Sequence, residues 1–150
     1  MSTGSQTWTQ KTIQVAGAEL HIIQGGTGDP LLVLHDENGQ TPPLRYAEVL
    51  SEDFTLHMPS HPGFGVTDQL EWVMSVRELA SWYLRVIEEL DLGRVNILGL
   101  SLGGWLAAEM ACQSPQSINK MVLVAPAGIK PPTGEILDMF LIVAREYMEE

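Results

Sequence analysis

Val95-Asn96-Ile97-Leu98-Gly99-Leu100-Ser101-Leu102-Gly103-Gly104-Trp105-Leu106-Ala107-Ala108 decides how the rest of the chain is read. Val95, Ile97 and Leu98 are apolar, two of them β-branched, and the run predicts a buried strand, while Gly104 to Cys112 predicts a mostly buried helix. Between them, Gly99-x-Ser101-x-Gly103 puts a serine on a strand-to-helix turn. Such a turn is so sharp that the serine backbone is strained, and the residues two before and two after it must be small. The hydroxyl then stands at the carboxyl end of a sheet, beside helix N–H groups that favour developing negative charge. The five-residue string alone is weak; its place between strand and helix makes it specific, and it is the arrangement of a nucleophile elbow.

Outward from this turn the chain alternates strands and helices. Lys11 to Val15 and Glu19 to Gln24 predict an opening hairpin, and Leu31 to Leu34 is a continuous apolar run of the kind found in central parallel strands. A loop from His35 to Thr41 precedes a short helix from Pro42 to Leu50, with prolines suited to its first turn. Asp53 to Met58 predicts a strand and Pro59 to Gly65 a tight turn. Ser75 to Leu90 is amphipathic, with Val76, Leu79, Ala80, Tyr83, Val86, Ile87 and Leu90 on one face and Ser75 with Glu78 as a capping box. Ile118 to Val124 predicts the last strand, Pro126 to Gly134 a loop, and Glu135 to Glu150 a final helix. The fold class is therefore α/β, a mostly parallel sheet with flanking helices. Ligands of such sheets sit at the carboxyl ends of the strands. The loop after Leu34, the turn after Met58 and the elbow after Leu98 all meet at that edge.

The 150 residues suffice for a real core, and 45% hydrophobic with 18% charged residues is a globular balance. A net charge of −11 argues against nucleic acid and against anionic membranes, which both require basic patches. No segment has the length or composition of a membrane span or a signal peptide, and the single cysteine, Cys112, cannot close an internal disulfide; a reducing cytoplasmic setting is expected. Cys112, Met110, Met121, Met139, Met148 and Trp105 are read as core filling, with an acyl pocket as the alternative place for Trp105. Gly25-Gly26-Thr27-Gly28 precedes a strand and lacks a following lysine, so it is a turn and not a phosphate loop. No cofactor and no metal are implied.

Four ordered motifs resemble the α/β-hydrolase superfamily, in its serine-nucleophile, esterase-like branch. Leu32-Val33-Leu34-His35 with Asp36-Glu37-Asn38-Gly39 resembles the family's strand ending in His-Gly-x-x-Gly. His61-Pro62-Gly63-Phe64-Gly65 resembles its Pro-Gly-Phe-Gly turn, Gly99 to Gly104 its elbow, and Val122 to Gly128 the strand and loop that follow. The likeness runs from about Thr12 to about Lys130. It implies that residues 1–132 are the N-terminal part of the hydrolase core and that residues 133–150 begin a cap-like helical segment.

By the same resemblance, Ser101 is the nucleophile that forms an acyl-enzyme with an ester or related acyl compound. The backbone N–H groups of Leu102 and Glu37 are the oxyanion donors, each worth about 10²–10³ in rate. His35 and Asp36 border the pocket. Asp36 departs from the family's glycine and brings a carboxylate toward the oxyanion. In the family the acid and then the histidine follow the nucleophile, whereas His21, His35, His57 and His61 all precede Ser101. The chain is thus expected to be the nucleophile half of the enzyme, lacking the downstream Asp and His. His35 and His61 are read as shaping their loops, His57 as an oriented strand histidine, His21 as part of the hairpin, and Glu135 and Asp138 as solvated charges. The alternative reading is a degenerate, non-catalytic binding module or an inactive fragment. A small acyl substrate is the expected partner, with self-association through the terminal helix or the exposed edge of the last strand.

Overall fold

A computed structural model describes residues 7–39, 45–130 and 132–133. The helix expected from Glu135 to Glu150, the segment 133–150 beyond Thr133, and the first turn of the helix at Pro42 lie outside the described residues, as do Met139 and Met148. The elements in chain order are strands β1 (Thr9–Val15), β2 (Ala18–Gly26) and β3 (Asp29–Leu34), helix α1 (Arg45–Leu50), strand β4 (Phe54–Pro59), helix α2 (Val76–Glu89), strand β5 (Val95–Leu100), helix α3 (Leu102–Gln113) and strand β6 (Ile118–Val124). A single 3-10 turn, Pro115–Ser117, joins α3 to β6.

The six strands form one sheet in the order β1-β2-β4-β3-β5-β6. β1 and β2 are antiparallel to each other, and β2 is antiparallel to β4. β4, β3, β5 and β6 run parallel. Parallel neighbours require crossover helices, which is the work of α1, α2 and α3. The continuous apolar run of β3 is explained by its central place: Leu31 and Val33 face one side, Leu32 and Leu34 the other, and all four are buried.

The two faces are covered unequally. On one side Leu32, Leu34, Ile97, Leu20 and Ile22 pack beneath α2 and α3, which supply Trp82, Tyr83, Val86, Leu106 and Met110. Each such side chain, taken fully out of water, is worth about 1.5–3 kcal/mol, so this layer is the main source of stability. α2 starts as its sequence requires: Ser75 Oγ accepts from the Glu78 N–H at 3.2 Å and the Glu78 carboxylate accepts from the Met74 N–H at 2.8 Å. On the other side Leu31, Val33, Leu56 and Met58 pack against Ala47 of α1. That cover runs out toward β6, where Val122 and Val124 are 58% and 48% exposed.

Three expectations of core packing are corrected. Cys112 is exposed, because it lies on the outward side of α3, away from Leu106, Ala107 and Met110. Trp105 is 37% exposed and lies against Gly128, where an added Cβ would come within 2.6 Å of its ring. Met121 is 37% exposed, since no further strand among the described residues flanks β6.

Candidate active site

Ser101 joins β5 to α3 with φ 45° and ψ −108°, a conformation that L-residues rarely adopt and that costs on the order of 1–3 kcal/mol. Its surroundings allow nothing larger than glycine at three nearby positions. A Cβ on Gly99 would lie 2.6 Å from the Gly103 carbonyl oxygen, one on Gly103 2.1 Å from that of Leu34, and one on Gly104 2.8 Å from Cβ of Pro126. These are contacts with backbone or with a rigid ring, so they cannot relax cheaply. The strained serine is also tied down by hydrogen bonds. Its N–H donates to Val124 O at 3.0 Å, and its carbonyl accepts from Gly104, Trp105 and Ala127 at 3.0, 3.2 and 3.0 Å. Ala125, at the end of β6, has φ 43° and lies in the same junction. The Ser101 hydroxyl makes no capping bond to α3, and the residue is half-buried.

Leu102 is the first residue of α3, so the helix offers its N–H no acceptor. The loop after β3 approaches it directly, because the Gly103 N–H donates to His35 O at 3.1 Å. In that loop Asp36 closes a tight turn: its Oδ1 accepts from the Asn38 N–H at 2.9 Å and its carbonyl from the Gly39 N–H at 3.3 Å. The Glu37 N–H meets no acceptor among the described residues. Glu37 is exposed and Asp36 half-buried. The one ion pair among the described residues is Arg85–Glu88, so neither carboxylate is neutralised by a salt bridge there. The Asp36 charge is felt by Tyr46, whose hydroxyl is held above its ordinary range by burial and then by that charge.

The turn after β4 completes the convergence. The His61 N–H donates to His35 Nε2 at 2.9 Å, and His61 Nε2 contacts His35 O at 3.0 Å. A carbonyl can only accept, so His61 carries its proton on Nε2. Its Nδ1 lies 2.6 Å from the Tyr83 hydroxyl, which therefore donates to the neutral ring. His35 must likewise leave Nε2 bare to accept from His61, so its proton is on Nδ1, donated to Asp36 O at 2.6 Å. Burial enforces neutrality in both. It pushes the His61 pKa down to about 3, with the neighbouring His35 adding to the effect, and it lowers that of His35. The Tyr83 hydroxyl is pushed well above 10 by burial. The two imidazoles lie with centroids 3.7 Å apart, and the Phe64 edge meets both.

His35 and His61 thus have every ring nitrogen engaged in holding loops together, and neither is free to take a proton from Ser101. His57 and His21 are elsewhere. His57 is buried in mid-strand, its Nδ1 has no hydrogen-bond partner among the described residues, and burial with the Lys11 charge lowers its pKa to about 4. His21 Nδ1 lies 3.0 Å from Thr12 Oγ1 across the opening hairpin. Asn96 is satisfied, donating to Pro30 O and accepting from the Asn119 amide. Glu135 and Asp138 lie outside the described residues. Sequence reading placed Tyr83 on the buried stripe of α2 and missed its role. The available signal was a tyrosine in a core position, whose hydroxyl needs a partner.

Among the described residues no group of three His, Cys, Asp or Glu side chains could hold a metal, and no helix is long and apolar enough to cross a membrane.

The family model for the alpha/beta hydrolase fold matches residues 21–145. The 2-hydroxy-6-oxononadienedioate/2-hydroxy-6-oxononatrienedioate hydrolase of Cupriavidus pinatubonensis is 33% identical over 110 residues, 73% of this chain and 36% of that protein. The pimeloyl-(acyl-carrier protein) methyl ester esterase of Nitrosomonas europaea is 32% identical over 111 residues, 72% of this chain and 41% of that protein. A mutant of the meta-cleavage product hydrolase CumD superposes with a TM-score of 0.71 at 25% identity, over 81% of this chain and 47% of that one. The chain spans less than half the length of each.

Proposed function

Because the chain belongs to the alpha/beta hydrolase fold family, we propose that it carries the nucleophile half of a serine hydrolase acting on esters or related acyl compounds. One observation carries this reading: Ser101 is held in a strained turn at the carboxyl edge of the sheet, its hydroxyl uncommitted to the helix it caps. A serine retained at such a cost, with backbone N–H groups open beside it, has the layout of acyl transfer. Ser101 Oγ would attack the acyl carbon and lose its proton to a base. Leu102 N–H and Glu37 N–H would receive the oxyanion, the alcohol would depart, and water would then release the acid.

The base is the part this sequence does not supply. No histidine follows Ser101, and the four that precede it are each committed or remote. Ester turnover by these 150 residues is therefore expected to be weak. The esterase name of one relative favours a carboxylic ester for the whole enzyme. Asp36 and Glu37, which meet no salt-bridge partner among the described residues, favour an acyl group without its own negative charge. A non-catalytic binding role is the second reading, favoured by the locked histidine pair.

The test needs no substrate identity. An alkyl fluorophosphonate is a far stronger electrophile than an ester, so a serine beside open oxyanion donors is phosphonylated slowly even without its base. The Oγ–P bond forms, the P–F bond breaks, fluoride leaves and the hydroxyl proton passes to water. Intact mass followed by peptide mapping should find one adduct, on Ser101, and none in Ser101→Ala. Equal labelling of the two proteins, or an adduct elsewhere, would remove Ser101 as the nucleophile.

A further inference from the structure

We infer that Tyr83, acting through His61 and His35, is the positioning residue that aims the Glu37 N–H at the oxyanion. This inference rests on the hydrolase reading of Ser101 given above.

The peptide between Asp36 and Glu37 is trans, so its C=O and N–H point in opposite directions. Whatever grips the Asp36 carbonyl therefore sets where the Glu37 N–H points. The grip is the His35 Nδ1–H, at 2.6 Å, with the Gly39 N–H behind it at 3.3 Å. The neutral His35 ring donates from Nδ1 only if Nε2 is the bare nitrogen, and Nε2 is kept bare by the His61 backbone N–H it accepts at 2.9 Å. His61 in turn steadies the His35 carbonyl through its Nε2–H, which requires Nδ1 to be the bare nitrogen. The Tyr83 O–H, 2.6 Å away, satisfies that nitrogen. Each link fixes the proton of the next, from α2 through the turn after β4 to the loop after β3. Tyr83 touches no reacting atom and is fully buried.

Two further features separate this relay from ordinary packing. The aromatic stack of His35, His61 and Phe64 would persist without the hydroxyl, because it depends on ring shape alone. Trp82 packs edge-on against the Tyr83 ring, a contact that phenylalanine would reproduce. Removing the oxygen alone thus isolates the hydrogen-bond chain from the packing.

The experiment is Tyr83→Phe in the full 150-residue chain, read in two ways. In 15N-labelled protein, the ring nitrogens of His61 and His35 report their tautomers and the Glu37 amide reports its environment. In parallel, fluorophosphonate labelling of Ser101 is measured against probe concentration. Tyr83→Phe should disturb the His61 tautomer, move the Glu37 amide resonance, and slow the maximal labelling rate tenfold or more with the half-saturating probe concentration unchanged. A shifted tautomer with an unmoved Glu37 amide would overturn the inference and leave Tyr83 a packing residue. If wild type and Ser101→Ala label alike, the hydrolase reading fails instead, and the Glu37 amide alone decides whether Tyr83 positions the loop. Should Tyr83→Phe not fold, 4-fluorophenylalanine at position 83 fills the space of the hydroxyl while removing the donor. An unmoved Glu37 amide in that protein also overturns the inference.

Discussion

The elbow and the oxyanion loop sit side by side at one sheet edge, yet they are held in shape by opposite means. The elbow, Gly99 to Gly104, is fixed by exclusion: added Cβ atoms at three glycines would strike backbone or proline within 2.1–2.8 Å, and its hydrogen bonds are backbone to backbone. The loop, His35 to Gly39, is fixed by attraction through side chains that come from residues 26 and 48 positions away, His61 and Tyr83. A wall built from sterics is insensitive to pH and intolerant of any added atom. A grip built from neutral imidazoles tolerates small shape changes and fails when a proton is added.

The largest effect should come from breaking the elbow. In Gly103→Ala the new Cβ would stand 2.1 Å from Leu34 O and 2.7 Å from His35 O, both backbone. Either β3 or α3 must shift, so a loss of about 3 kcal/mol or more is expected in urea denaturation, with low soluble yield. A variant of wild-type stability would mean that the β3–α3 spacing is loose, and the contrast between the two regions would fall with it.

Acid should break the other side. An unfolded histidine takes a proton below about 6.5, whereas the fold holds His61 neutral down to about 3 and His57 down to about 4. The unfolded chain therefore binds more protons as pH falls through this window. Stability should be level above pH 6.5 and then drop by about 1.4 kcal/mol per pH unit for each such histidine. Urea midpoints between pH 8 and 4.5 would show this, and His57→Leu should remove the share that does not belong to the loop. A flat profile would mean that the imidazoles accept protons without leaving their partners. The geometry forbids this for His35, because its Nε2 already receives the His61 N–H.

The same contrast explains what the sequence could and could not disclose. Gly99, Ser101 and Gly103 are neighbours in the chain, so the collision that demands glycine is a local property and their spacing spells it out. The α/β alternation was legible for the same reason: the run Leu31 to Leu34 and the stripe on α2 are local periodicities. The histidine relay was not legible. Nothing at His61 or Tyr83 marks one as the partner of the other until β4 and α2 are placed, and either residue alone reads as a loop histidine or a core aromatic. Trp105, Met121 and Cys112 misled in a related way. Apolar composition on α3 and β6 shows that a surface is fit for burial, but not which part of it has a neighbour. Trp105 and Met121 are more than a third exposed, with no such neighbour covering them among the described residues.

The smallest effect is the most pointed, because it asks what the strain at Ser101 is for. At φ 45° and ψ −108° the serine costs on the order of 1–3 kcal/mol relative to a relaxed residue, whereas glycine adopts the same angles with little penalty. Ser101→Gly should therefore gain stability, offset in part by the greater freedom of glycine in the unfolded chain, for a net increase of about 1 kcal/mol. The gain should appear as a higher urea midpoint with an unchanged slope, together with complete loss of fluorophosphonate labelling. Stability bought by deleting the hydroxyl would identify the turn as a site where reactivity outweighed fold. A loss of stability would instead mean that the serine side chain holds the junction together, and the elbow would then resemble the loop beside it in depending on side-chain bonds.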